Sequence, residues 1–203
     1  PTAELNVFWY AVATSNSVEL RIKDELDSDD LGLPSGPLLS QFLRERPLHQ
    51  FLEFDGLTFR KEHCRALATL ERTDLRVSLR KCTLDPQDAE DTFIDWFRHN
   101  QIVTDLYLQF LCDTGDRMLS ALSGNNSVVR LSMYNDYTYT EVYANGVDQM
   151  RFLVQALEGN MGIEHLTLKY FPISDEMWML LFRSLSTHPR LKCLSIDHYC
   201  HTW

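Results

Sequence analysis

Seven short segments along the chain carry an apolar side chain, one intervening residue and a second apolar side chain: Leu20/Ile22, Leu52/Phe54, Val77/Leu79, Leu106/Leu108, Leu131/Met133, Leu166/Leu168 and Leu194/Ile196. Measured from Leu20, the steps between them are 32, 25, 29, 25, 35 and 28 residues. Alternation with a period of two marks a strand with one buried face, so strands are expected near 18–23, 50–55, 75–80, 103–109, 128–134, 163–169 and 191–197. The later strands are taken to begin at the apolar residue three positions upstream, at Val103, Val128, Ile163 and Leu191.

Between these segments apolar residues recur at three- and four-residue steps, the spacing of an amphipathic helix. Leu38, Leu39, Phe42 and Leu43 form one such stripe, followed by Cys64, Leu67 and Leu70, by Met118, Leu119 and Leu122, by Met150, Leu153 and Leu157, and by Met177, Leu181 and Leu185. Asp85-Pro86 and Ser174-Asp175-Glu176 signal helix starts, through a capping side chain followed by proline or by acids at the positive end of the dipole. Asn100, Asn125 and Asn160, the last two preceded by Gly124 and Gly159, are read as stops where a helix needs a left-handed residue; Pro189 after His188 gives the matching stop downstream. The stretch Leu5–Ala13 is read as the last helix of a preceding unit, which makes the chain part of a longer array.

A repeating strand and helix resembles the leucine-rich repeat proteins, and a period of roughly 28 residues is similar to their ribonuclease-inhibitor-like subfamily. The resemblance rests on Asn160-x-x-Ile163-x-x-Leu166-x-Leu168-x-x-Phe171-x-Ile173 and on His188-x-x-Leu191-x-x-Leu194-x-Ile196, and covers Ser17 to His198. The family's Asn or Cys after the strand is matched by Cys82, and departs at Leu57, Leu111, Asp136 and Phe171. The resemblance implies an α/β solenoid arc of about seven irregular repeats in a single domain, 1–203, with a concave parallel sheet inside and α-helices outside. It also implies a protein-binding module; some members of the subfamily stimulate GTP hydrolysis on a small GTPase, and a substrate-recruiting part of a ubiquitin ligase is a further alternative.

If the apolar pairs point into the core, the residues alternating with them face the concave surface. These are Glu19, Arg21 and Lys23; Phe51, Glu53 and Asp55; Arg76, Ser78 and Arg80; Asp105, Tyr107 and Gln109; Arg130, Ser132 and Tyr134; His165, Thr167 and Lys169; Cys193, Ser195 and Asp197. Arginine and tyrosine are the residue types that carry most binding energy at protein interfaces. Arg76, Arg80, Tyr107, Arg130 and Tyr134 are therefore the preferred contact site, joined by Asp105, His165 and Lys169. One repeat carries an insertion, Tyr134 to Gly146, in which Tyr137 and Tyr139 add to the candidate contacts. It is either an adaptable recognition loop or a loop folded back over its own repeat. The insertion Asp24 to Pro37 is read as an acidic solvated loop without the ligand spacing of a Ca²⁺ site.

Charge sharpens this picture. The 203 residues hold 29 acidic and 19 basic side chains, a formal net charge of −10. The concave positions hold six basic and five acidic residues, so the acidity belongs to the helices and loops. Such a surface repels phosphate backbones, and neither nucleic acid nor membrane is expected as a partner. Five cysteines, odd in number and widely spaced, point to reduced thiols in the cytoplasm; a pair between Cys193 and Cys200 stays open. No basic stretch precedes the apolar run Val7–Val12, so no secretory signal is expected.

The chemistry of sites adds little. Cys193, His198, Cys200 and His201 lack the paired spacing of a zinc site, His63 and Cys64 are read as surface and core, and no phosphate-cradling loop or nucleophile elbow is present. Neither a cofactor nor catalysis is expected.

Overall fold

The computed structural model describes residues 7–13, 18–24, 36–45, 49–70, 75–80, 82–85, 89–110, 115–135, 142–171 and 174–197, the first two segments by backbone alone. In chain order its elements are β1 (Val7–Ala13), β2 (Val18–Asp24), α1 (Gly36–Glu45), β3 (His49–Asp55), β4 (Thr58–Phe59), α2 (Lys61–Leu67), β5 (Leu75–Arg80), β6 (Thr83–Leu84), α3 (Ala89–His99), β7 (Val103–Phe110), α4 (Gly115–Leu122), β8 (Arg130–Asn135), α5 (Val142–Gly159), β9 (His165–Lys169), α6 (Asp175–Thr187) and β10 (Cys193–Asp197).

The fold is α/β. Eight strands make one sheet in the order β1-β2-β3-β5-β7-β8-β9-β10, which follows the chain, while β4 and β6 form a second, two-stranded sheet. All neighbours in the large sheet from β2 to β10 are parallel. The register aligns the apolar pairs side by side: Leu20, Leu52, Val77, Leu106, Leu131, Leu166 and Leu194 are successive partners. From β3 to β9 these residues and their i+2 neighbours are buried, in one cluster with Leu39, Cys64, Leu67, Phe93, Phe97, Leu119, Leu153, Met177 and Leu181 of the helices. Consecutive helices pack against one another from α1 to α6. One face of the sheet is thus covered by a row of helices, and among the described residues the other is left open.

The segment Val7–Ala13 is not a helix. It is a strand, antiparallel to β2, with Val7 opposite Asp24 and Ala13 opposite Val18. Its composition, VFWYAVA, is rich in β-branched and aromatic residues that favour strands, and a run this short has no period that separates helix from strand. The strands β8, β9 and β10 begin two residues later than expected, because Val128, Ile163 and Leu191 fill the turns ahead of them. Two predicted loops shorten as well: α1 begins at Gly36, with Pro37 tolerated in the first turn, and α5 begins at Val142, inside the expected Tyr134–Gly146 insertion.

Helix ends are built differently from the expectation. Among the described residues only Gly56 and Tyr170 have positive φ, 71° and 59°, so neither the asparagines nor Gly124 and Gly159 act through a left-handed backbone. The asparagine side chains do the work instead. Asn100 Oδ1 accepts from Ile102 N and Val103 N at 2.7 and 2.9 Å, Asn125 Oδ1 from Ser127 N and Val128 N at 3.0 Å each, and Asn160 Oδ1 from Gly162 N and Ile163 N at 2.8 and 3.0 Å. The amides of Asn125 and Asn160 also donate backwards: Asn125 Nδ2 to Phe97 O (2.6 Å) and Asn100 O (3.3 Å), and Asn160 Nδ2 to Leu122 O (2.7 Å) and Asn125 O. His188 occupies the next such position and accepts through Nδ1 from Leu191 N at 3.1 Å. The turns stack closely enough that a Cβ on Gly162 would lie 2.7 Å from Asn126 O, so only glycine fits there.

Ser174 caps α6 as expected, accepting from Met177 N at 3.3 Å. At α3, Ala89 N donates to Asp85 O at 3.3 Å, and Pro86 lies outside the described residues. His63 is buried, against its expected place on the surface. Its Nδ1 accepts from Arg60 N at 2.9 Å, its Nε2 lies 3.5 Å from Glu62 Oε1 and its ring meets Phe59 edge-on, so the ring is satisfied on every side.

Candidate functional site

The parallel register sorts the open face into three rows running across the strands. From β3 to β10 the first row reads Phe51, Arg76, Asp105, Arg130, His165, Cys193. The second reads Glu53, Ser78, Tyr107, Ser132, Thr167, Ser195, and the third Asp55, Arg80, Gln109, Tyr134, Lys169, Asp197. Strands in a sheet lie about 4.8 Å apart, so each residue is within side-chain reach of its neighbours in the row.

In the first row Asp105 sits between two guanidinium groups, 3.3 Å from Arg130 and 3.9 Å from Arg76. Arg76 and Arg130 remain more than half exposed, at 60% and 53%. With Tyr107, His165 and Cys193 they line a hollow of about 330 Å³. Arg80 behaves differently. Its guanidinium lies 5.3 Å from the centre of the Tyr107 ring and 3.6 Å from Glu53 Oε1. Burial draws its pKa down, but hydrogen bonding to Tyr107 and the carboxylates of Glu53 and Asp55 more than offset this, leaving it above the ordinary arginine value.

Glu53 and Ser78, expected as exposed, are only 5% and 4% accessible. Both alternate with the buried apolar pairs, and Arg80 approaches Glu53. Tyr134 lies on β8 with its ring edge-on to Tyr170 at 5.0 Å and 87°. Tyr170, which no sequence signal singled out, takes the same turn position as Gly56. Gly56 N donates to Arg80 O and Tyr170 N to Asp197 O, each at 2.9 Å, so each ties the end of its strand to the end of the next. A left-handed backbone at a tyrosine is unusual, and here it places an aromatic ring at the rim of the open face. Lys169 reaches Asp197 at 4.0 Å.

The structure therefore brings Arg76, Asp105, Tyr107, Arg130 and His165 to one hollow, Arg80 beside Tyr107, and Tyr134 and Lys169 to the adjacent row. Tyr137 and Tyr139 lie outside the described residues, as do His198, Cys200 and His201. Among the described residues no three His, Cys, Asp or Glu side chains gather as metal ligands, and no helix is long and apolar enough to cross a membrane.

The cysteines divide by environment. Cys193 is exposed at the hollow, while Cys64 and Cys82 are free thiols within the fold. Burial raises the pKa of both from 9.0 to about 12, partly countered by backbone hydrogen bonds. Their contribution to stability is therefore full below about pH 9 and is lost as pH rises toward 12. In a variant with Cys112 and Cys200 replaced by serine, an aromatic disulfide reagent should modify Cys193 at once and the other two only on unfolding. Thermal melts should fall above pH 9, and equal reactivity of all three thiols in the folded protein would refute the assignment.

Neither a comparison with protein-family models nor one with curated proteins gives a significant match.

Proposed function

We propose that this chain is a leucine-rich repeat module of the ribonuclease-inhibitor-like kind, an arc of stacked strand–helix units with no chemistry of its own that binds a protein partner through the open face of its sheet. The strand order that follows the chain, the consecutive packing of the helices and the recurring turn asparagines support the repeat reading, since in such arrays each unit contacts only its neighbours. The observation that carries the binding reading is the concentration of Arg76, Arg80, Tyr107, Arg130 and Tyr134 on three adjacent strands, on the face of the sheet that no described helix covers. From β3 to β9 the apolar face of the sheet is packed against the helices, so the opposite face is where a partner can meet the strand side chains.

The test compares partner capture by the wild type, by Arg76→Ala/Tyr107→Ala/Arg130→Ala, and by the helix-face control Gln155→Ala/Glu158→Ala. Truncating three interface anchors should weaken binding about a hundredfold, with the melting temperature and the control unchanged. Recovery of the same partners at the same strength by the triple variant would overturn the reading.

A further inference from the structure

We propose that the hollow between Arg76, Arg130 and His165 is a subsite for a carboxylate side chain on an extended, acidic segment of the partner; this rests on the protein-binding reading above. On the described open face the charges are unevenly spread. Around the hollow Arg76 and Arg130 stand against Asp105 alone, an excess of one cation within a chain of net charge −10, while Arg80 is taken up by Glu53 and Asp55. The flanking carboxylates are otherwise engaged, Glu53 near Arg80 and Asp197 near Lys169.

Asp105 does not neutralise its two arginines. It takes one N–H of Arg130 at 3.3 Å and meets Arg76 only at 3.9 Å. A guanidinium has five N–H groups, so most of those on both arginines remain for an incoming acceptor. The shared carboxylate holds the two forks on either side of the hollow, an arrangement suited to planar, bidentate recognition of a carboxylate. His165 follows Arg130 in the row and adds a donor, while Phe51 and Tyr107 border the same hollow and can cover the methylenes of a glutamate. Parallel rows of donors at about 4.8 Å spacing favour an extended chain lying across the strands. A polyanion is disfavoured because the acidity of the remaining surface would repel its continuing charges.

The experiment is a backbone-amide NMR titration of the folded chain with N-acetylated, C-amidated Ala-Glu-Glu-Ala, with its Ala-Gln-Gln-Ala counterpart and with inorganic phosphate. The acidic peptide should shift the amides of residues 76, 105, 130, 165 and 193 saturably, with a Kd on the order of 1 mM. The glutamine peptide, and Arg130→Gln with an otherwise unchanged spectrum, should bind roughly tenfold more weakly or less. Equal shifts from both peptides, shifts centred elsewhere, or tighter binding of phosphate than of the acidic peptide would each overturn the proposal. Absence of peptide binding alongside a triple variant that loses its partner would remove this subsite and leave the protein-binding reading standing.

Discussion

Replacing Asn160 with alanine should destabilise the fold by about 3–5 kcal/mol, because several buried backbone groups lose their only side-chain partner together. Asn160 is fully buried. Its oxygen accepts from Gly162 N and Ile163 N, and its amide donates to Leu122 O and Asn125 O, so one side chain shapes the turn into β9 and ties it to the end of α4 and the turn that follows α4. Asn160→Asp should be at least as damaging, since a carboxylate keeps the two acceptor bonds but faces two carbonyl oxygens with no donor. Chemical denaturation should show a lower midpoint with an unchanged slope. The exposed neighbour Glu158→Ala should stay within about 0.5 kcal/mol; a loss of similar size there, or none at Asn160, would contradict the account of the turn.

Phe59→Ala should cost a similar amount, about 3–5 kcal/mol, by leaving a cavity in the centre of the core. Phe59 is 1% exposed. Its ring lies 5.1 Å from Phe54 in an edge-to-face contact and 6.4 Å from Phe93, joining a strand of the large sheet to a helix of the next unit. It is presented by β4, whose Thr58 and Phe59 pair with Thr83 and Leu84 of β6. Phe59→Leu keeps most of the volume and should lose only about 1–2 kcal/mol. Equal losses in the two variants would show that ring contacts and not filled volume dominate at this position.

The strands and helices were legible because burial on one face imposes a period. Leu166 and Leu168 had to point the same way, and the stripe Met177, Leu181, Leu185 had to meet them. What the period does not encode was harder to see. Val7–Ala13 is apolar at nearly every position, so its pattern fits either element, and pairing with β2 decides the outcome. Asn100, Asn125 and Asn160 were visible at recurring places, but their action through side-chain hydrogen bonds depends on the stacking of turns about 25 to 35 residues apart. His63 is buried because the ring finds Arg60 N and Phe59, neither of which a helix pattern reports.

At the candidate site, alternation alone placed Arg76, Asp105, Arg130 and His165 on one face. It could not give their order in a row, which follows from register, nor the sharing of Asp105 by two arginines. Tyr170 was missed altogether, since nothing in its sequence surroundings announces a left-handed backbone at a bulky residue.

The most direct test of binding through the open face is site-specific photo-crosslinking. A photoreactive phenylalanine analogue is placed at Ser132, in the middle row of the open face, or at Glu158 on the exposed surface of α5. The account predicts a crosslinked partner from position 132, lost when Arg76 and Arg130 are both changed to alanine, and none from position 158. Crosslinking of the partner from position 158 alone would contradict it.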